Sequence, residues 1–250
     1  MSYQFLTITR EGPVATVAMN RPESRNALNM DIIAELHRVA LDLRDDREIS
    51  AIVLTGTDTC FSAGADRKDD RIFAPVNRTL LDHWRDTEGG SETARAWEAL
   101  PQITIAAIEG FAVGGGFTLA MACDLRVMGE SAFIQIPEVP LGFNYGWNSI
   151  PRMVDLIGPA RTKRVVVFGE RITAEQSENW GLADYLAPDG QAAAKAQELA
   201  RNSAALPQMA VQFTKRAVNA VVGRSQDISS HADMAQIVLC LEAAKGTQGA

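Results

Sequence analysis

Ile103-Thr104-Ile105-Ala106-Ala107-Ile108-Glu109-Gly110-Phe111-Ala112-Val113-Gly114-Gly115-Gly116-Phe117 is the stretch whose reading decides the fold. Its first six residues form a short, mostly apolar segment that reads as a buried strand. A glycine turn follows, and then a helix of small residues through Cys123. The same order occurs earlier in the chain. There the strand is Ala51-Ile52-Val53-Leu54 and the turn is Phe61-Ser62-Ala63-Gly64-Ala65-Asp66. Each turn leaves unpaired backbone N–H groups at a strand-to-helix junction, where partial positive charge gathers. Two such junctions aimed at one point would make an oxyanion hole, so chemistry can be present without a side-chain triad.

Outward from these turns, residues 3–9 and 13–19 read as a hairpin around Glu11-Gly12-Pro13. Asn29 is placed to cap a helix whose apolar positions are Ile32, Ile33, Leu36, Val39, Ala40 and Leu43. From Arg67 to about Gly90 the chain turns polar and irregular, with Gly89-Gly90 near its end, which reads as a mobile flap or an extra helix by the site. Residues 92–100 read as helix, and 124–128 and 133–136 as short strands. Thr173-Ala174-Glu175-Gln176 is a capping-box helix start. Residues 190–204, 207–221 and 228–244 read as three closing helices. A loose strand-strand-helix recurrence is visible, with no clean repeat.

The 250 residues suit one domain, or one domain with an appendage. Hydrophobic content of 46% and charged content of 22% are ordinary for a soluble globular enzyme. A net charge of -7 argues against general nucleic-acid affinity. The three cysteines, Cys60, Cys123 and Cys240, are scattered without metal-like spacing, which points to a reducing compartment and no disulfide framework. No signal peptide and no continuous membrane-length apolar run is evident, so the expected address is cytoplasmic. The glycine run fails the dinucleotide fingerprint, because Leu119 stands where its third glycine belongs. There is no P-loop, no His-Glu-x-x-His and no Gly-x-Ser-x-Gly elbow. His37, His83 and His231 are isolated; His37 and His83 read as surface residues, with His83 in the flap segment near a ligand as the sharper alternative.

Five ordered blocks carry a resemblance. They are Arg21-Pro22 with Asn26-Ala27-Leu28; Ser62-Ala63-Gly64-Ala65-Asp66; Gly110 through Asp124; Pro137-Glu138 with Leu141-Gly142; and Trp180-Gly181-Leu182-Ala183-Asp184. In these blocks, over roughly residues 5–220, the sequence resembles the crotonase superfamily, the enoyl-CoA hydratase/isomerase group. The resemblance implies an α/β fold, a crotonase-like superhelix of repeated ββα units. It implies a core at 1–195 holding a CoA-thioester site, and a C-terminal helical region at 196–250 for oligomerisation and for covering the site. It implies an acyl-CoA as substrate, no separate cofactor and no metal, and a homotrimer or dimer of trimers.

By motif position the oxyanion donors would be the N–H groups of Ala65 and Gly115, with Glu138 as acid/base. Losing one such donor typically costs about 2.7–4 kcal/mol of transition-state stabilisation. The remaining binding candidates are Ala27, Ala63, Asp66, Gly114, Thr118, Pro137, Gly142 and Tyr145. Arg25, Arg67 and Lys68 flank the matched motifs as candidates for the CoA phosphates.

The sequence also departs from the family. Hydratases of this group usually carry two glutamates; here the second is Glu138 and Thr118 stands at the first. A threonine hydroxyl can orient a water but is no general base near neutral pH. One carboxylate suffices for a proton shuttle, so double-bond isomerisation is favoured over hydration. Where the family commonly has a glycine-rich stretch, this chain has Phe143-Asn144-Tyr145-Gly146-Trp147-Asn148. Tyr145 and Trp147 read first as core or pocket-wall packing, and Tyr145 with Thr118 keeps alive an acyl-CoA decarboxylase or C–C bond hydrolase. A non-catalytic RNA-binding or scaffolding role is the third reading.

Overall fold

The computed structural model describes residues 3–73, 79–229, 235–240 and 243. The chain opens with β1 (Leu6–Glu11) and β2 (Val14–Met19), the expected antiparallel hairpin. A short 3-10 turn at Pro22–Ser24 leads to α1 (Met30–Arg44), then β3 (Ala51–Thr55). Next come α2 (Asp70–Phe73), α3 (Leu80–Glu98), β4 (Ile103–Ile108), β5 (Phe111–Val113) and α4 (Gly115–Met121). After β6 (Leu125–Gly129) and β7 (Phe133–Gln135) the chain enters α5 (Ser149–Phe168). It closes with β8 (Arg171–Thr173), α6 (Ala174–Trp180), β9 (Tyr185–Ala187), α7 (Ala192–Ala204) and α8 (Gln208–Ser229).

The larger sheet has the order β1-β2-β3-β4-β6-β9, parallel throughout except for the opening hairpin. A smaller sheet has the order β5-β7-β8. The strand-strand-helix recurrence is visible twice: β4, β5 and α4 form one unit and β6, β7 and α5 the next, each with its first strand in the large sheet and its second in the small one.

β3 and β4 read as unbroken apolar runs because both of their faces are covered. Ile52 and Leu54 of β3, with Ala106 and Ile108 of β4, belong to the main core under α1, α3 and α4. Their neighbours Ala51, Val53, Ile105 and Ala107 face a second core that includes Ala192, Ala196 and Ala200 of α7. Successive side chains of a strand point to opposite faces, so one strand serves two cores. α7 packs on this sheet and spans the expected boundary at residue 195.

Local chemistry explains the helix starts. The Asn29 side chain accepts from the Ile32 N–H at 2.9 Å, and the six apolar positions expected of α1 are its six buried residues. Thr173 and Gln176 form the expected capping box at 3.2 and 3.1 Å.

Several expectations need correction. Of the two readings of 67–90 the extra helix holds: α2 and the first half of α3 lie there, and α3, starting at Leu80 behind its Thr79 cap, runs on through Glu98 and takes in most of the separate helix expected at 92–100. Glycine and polar residues hid it, because the helix is held by packing against α1, with Trp97 buried and its indole N–H donating to the Leu36 carbonyl at 3.0 Å. His83 is buried, not a surface residue, and its Nε2 donates to the Ile72 carbonyl at 2.9 Å. The helix expected at 207–221 runs on to Ser229, past the expected start of the next one at 228. Of that last helix, 235–240 is helical, and His231 lies outside the described residues. β5, β8 and β9 have three residues each, too few to show periodicity.

Candidate active site

The two glycine turns are knitted to each other. The Val113 N–H donates to the Ser62 carbonyl at 3.0 Å, and Ser62 bridges Ala112 in parallel register. A Cβ on Gly64, whose φ is +82°, would lie 2.6 Å from the Val113 carbonyl oxygen and 3.6 Å from the Gly115 nitrogen. Only glycine allows that approach. The first turn is fixed from its other side by Arg21-Pro22 and Asn26-Ala27-Leu28. The Leu28 N–H donates to the Gly64 carbonyl at 2.8 Å, and the Asp66 N–H to the Leu28 carbonyl at 2.9 Å. Between these two bonds the N–H of Ala65 has no acceptor among the described residues, and neither has that of Gly115. Both residues line the same cavity.

Glu138 enters this cavity from the loop between β7 and α5. Its own carbonyl accepts from the Leu141 and Phe143 N–H groups at 3.1 and 3.0 Å, which fixes a tight turn. The carboxylate lies against Gly114: a Cβ there would sit 2.1 Å from Oε1, and the Gly114 φ of +49° adds a second reason for glycine. Glu138 is 9% exposed, and its Oε2 has no hydrogen-bond partner among the described residues. Burial without a compensating cation raises its pKa from the ordinary 4.5 to about 7. Glu138 is the only acidic side chain lining the cavity among the described residues, and no lysine or arginine lines it.

Thr118 is fully buried on α4, and its hydroxyl is committed to protein groups. It lies 3.0 Å from the Tyr145 hydroxyl and 2.7 Å from the Ser149 hydroxyl. Tyr145 in turn donates to the Gly114 carbonyl at 3.2 Å. Burial first, then the nearby Glu138, hold the Tyr145 phenol far above its ordinary pKa, so it stays neutral. Phenol and threonine thus close a hydroxyl network in the wall of the cavity, which both residues line.

The other expected residues, Asp66, Arg25, Arg67, Lys68, Ala27, Ala63, Pro137 and Gly142, are not among those that line the cavity. Asp66 is buried and pairs with Arg21 at 2.6 Å, and it also accepts from the Lys68 N–H at 3.0 Å. Its carboxylate therefore braces the turn. Arg25, Arg67 and Lys68 are exposed; the Arg25 carbonyl accepts from the Ala63 N–H at 3.0 Å, beside the first turn. Ala27 is buried and its carbonyl accepts from Arg21 at 2.9 Å. Pro137 is half-buried, and Gly142 is exposed with φ +96° and open space about it.

The apolar wall was less legible. Met30 and Ile33 of α1, Ile72 and Phe73 of α2, Gly90 of α3, and Trp147 contribute to it. α2 is held there by a charge cluster: Arg71 pairs with Asp69 at 2.8 Å and with Asp31 at 2.9 Å. The Arg71 guanidinium first of all holds Asp69 down to about 2.

The chain belongs to the enoyl-CoA hydratase/isomerase family, whose sequence profile matches residues 9–245, within the crotonase superfamily. A Mycobacterium tuberculosis protein named "Probable enoyl-CoA hydratase echA6" is 37% identical over 85% of this chain and 81% of its own. The short-chain-enoyl-CoA hydratase of Clostridium acetobutylicum is 31% identical over 88% of this chain and 82% of its own. The crystal structure of an enoyl-CoA hydratase/isomerase from Mycobacterium paratuberculosis superposes with a TM-score of 0.87 at 27% identity, covering 95% of this chain and 93% of that one. The fold is accordingly crotonase-like, and the chain is an acyl-CoA enzyme of this family.

Proposed function

We propose that the protein shifts a carbon–carbon double bond in an enoyl-CoA, using Glu138 as the sole proton carrier. The thioester oxygen would accept from the N–H groups of Ala65 and Gly115. Glu138 removes a proton from C2 of a 3-enoyl-CoA, and the electron pair moves into an enolate held by those donors. The C3–C4 double bond becomes C2–C3 as Glu138 returns the proton at C4. Atoms and charge balance without water. A carboxylate with a pKa near 7 is matched to both halves of that exchange.

The observation that carries this reading is the state of Thr118. Two-carboxylate hydration needs a second group to activate water, and the Thr118 hydroxyl is already committed to Tyr145 and Ser149. Decarboxylation or C–C hydrolysis through Tyr145 is disfavoured for a related reason. That phenol lines the cavity but is 2% exposed, and its proton is committed to the Gly114 carbonyl, so it is not free to act on an acyl group. The CoA phosphates would be met by Arg25 and Lys68, with Arg67 beside them. The assembly would be a homotrimer, or a dimer of trimers, built through the C-terminal helices.

The test is mass spectrometry of 2-enoyl, 3-enoyl, malonyl-type and β-keto thioesters incubated with the protein in D₂O. The expected result is a shifted double bond that is lost in Glu138→Gln and kept in Tyr145→Phe. Water addition as the main reaction would overturn isomerisation. Release of CO₂ or chain cleavage that survives Glu138→Gln and fails in Tyr145→Phe would promote the lyase or hydrolase reading.

A further inference from the structure

The acyl side of the cavity is closed by an indole that fits nowhere but against glycine. Trp147 stands between α3 and α4. A Cβ on Gly90 would lie 1.9 Å from its Cε2, and a Cβ on Gly115 would lie 2.9 Å from its Cζ3. Gly90 sits in the middle of α3, where glycine is among the weakest helix formers. Its presence there is explained by the ring it admits. The backbone is also committed: Trp147 and Asn148 have φ values of +59° and +58°, a conformation that non-glycine residues rarely adopt. Arg152 holds this pair of residues in place. Its guanidinium donates to the Trp147 and Asn148 carbonyls at 2.9 and 3.0 Å and pairs with Glu98 at 2.7 Å. The ring therefore cannot be relocated by a simple rotation of an unconstrained loop.

What Trp147 leaves is small. The cavity has a volume of about 60 Å³. A closed apolar cavity of roughly 150 Å³ is the size that takes up benzene. We propose that Trp147, seated in the notch at Gly90, is the specificity-determining wall that restricts this site to short, uncharged acyl groups. Among the described residues no lysine or arginine lines the cavity to pair with a carboxylate at the acyl end, and Glu138 would repel one. The inference rests on the reading of this cavity as the acyl pocket, and it does not depend on which reaction follows.

The test is calorimetric binding of unreactive saturated thioesters, butyryl-, octanoyl- and succinyl-CoA, to the wild type, Trp147→Ala and Trp147→Phe. Wild type should prefer butyryl-CoA to both others. Trp147→Ala should reverse the order of butyryl- and octanoyl-CoA, since burying even two more methylenes is worth about tenfold. Trp147→Phe, which keeps a ring in the notch, should lie between them and serves if the alanine variant does not fold. Gly90→Ala should weaken butyryl-CoA binding in the wild type and do so much less in the Trp147→Ala background, because the clash is with the ring. An unchanged chain-length order in both Trp147 variants would overturn the inference while leaving the acyl-pocket reading intact. Failure of wild type to bind any of the three would overturn both. Succinyl-CoA binding as tightly as butyryl-CoA would refute the exclusion of charged acyl groups.

Discussion

Glu138 is a buried acid whose only shifting influence of weight is desolvation, and this gives two measurable consequences. For activity, the base must be ionised in the free enzyme. kcat/KM for a 3-enoyl-CoA should therefore rise with pH, bend near 7 and be flat above it. For stability, the folded pKa lies above the unfolded one, so the fold favours the protonated acid. That contribution is complete below about 4.5 and is lost as pH rises through about 7. Over the whole window it amounts to about 3 kcal/mol. Glu138→Gln carries no titration, so denaturant unfolding should find it near wild type at pH 4. It should be the more stable protein at pH 8, by up to that amount. A stability difference independent of pH would mean that Glu138 is not desolvated as described. The same burial argument makes Tyr145, held in the closed Thr118–Tyr145–Ser149 hydroxyl network, a poor acid.

At the level of elements, the site is a meeting of two turns, and the glycine between Val113 and Gly115 governs it. Gly114→Ala would put a Cβ 2.1 Å from the Glu138 carboxylate while forcing alanine into a φ of +49°. The left-handed backbone alone costs roughly 1–2 kcal/mol. The displaced acid should lower kcat by far more than it raises KM, because the reacting proton loses its carrier while the remaining binding surface stays. Steady-state kinetics on a 3-enoyl-CoA reads this split, and a pure KM effect would show that Glu138 tolerates the shift. Such contacts also show what the sequence could convey. The turns at 61–66 and 110–117 were legible because glycines bracketed by apolar strands have few physical explanations. Glu138 was legible because its block matched a family pattern. The cavity's apolar wall was legible only at Tyr145 and Trp147, which read as core or pocket-wall packing. Gly89-Gly90 reads as a break when α3 is taken alone, and only the indole of Trp147, distant in sequence, turns Gly90 into a packing residue. Likewise His83 reads as a surface residue until the Ile72 carbonyl is seen accepting from its Nε2. Periodicity and turn chemistry carry local structure, whereas these pairs are long-range contacts of single residues.

For the whole molecule, the question is what covers α8. Its residues Met209, Phe213, Val218 and Val221 are 72%, 60%, 55% and 71% exposed, and Leu206 just before the helix is 55% exposed. An apolar strip of that kind marks an interaction surface more often than a solvated one. α8 is nevertheless anchored to its own core. The Lys215 ammonium is buried and donates to the Asp124 carboxylate at 2.6 Å and to the Gln102 carbonyl at 2.8 Å. Breaking a buried pair of this kind costs about 3–5 kcal/mol, so the helix should stay docked when neighbouring chains leave. The trimer proposed above then predicts a specific outcome for Phe213→Glu, which adds a charge to the exposed strip and touches nothing in the Lys215 anchor. Sedimentation velocity should give three times, or six times, the chain mass for wild type and the single-chain mass for the variant. Far-UV circular dichroism should be unchanged between them. A wild type that sediments as a single chain at micromolar concentration would remove oligomerisation from the account of this surface. A variant that dissociates and also loses helical signal would show that the Lys215–Asp124 anchor does not hold α8 by itself.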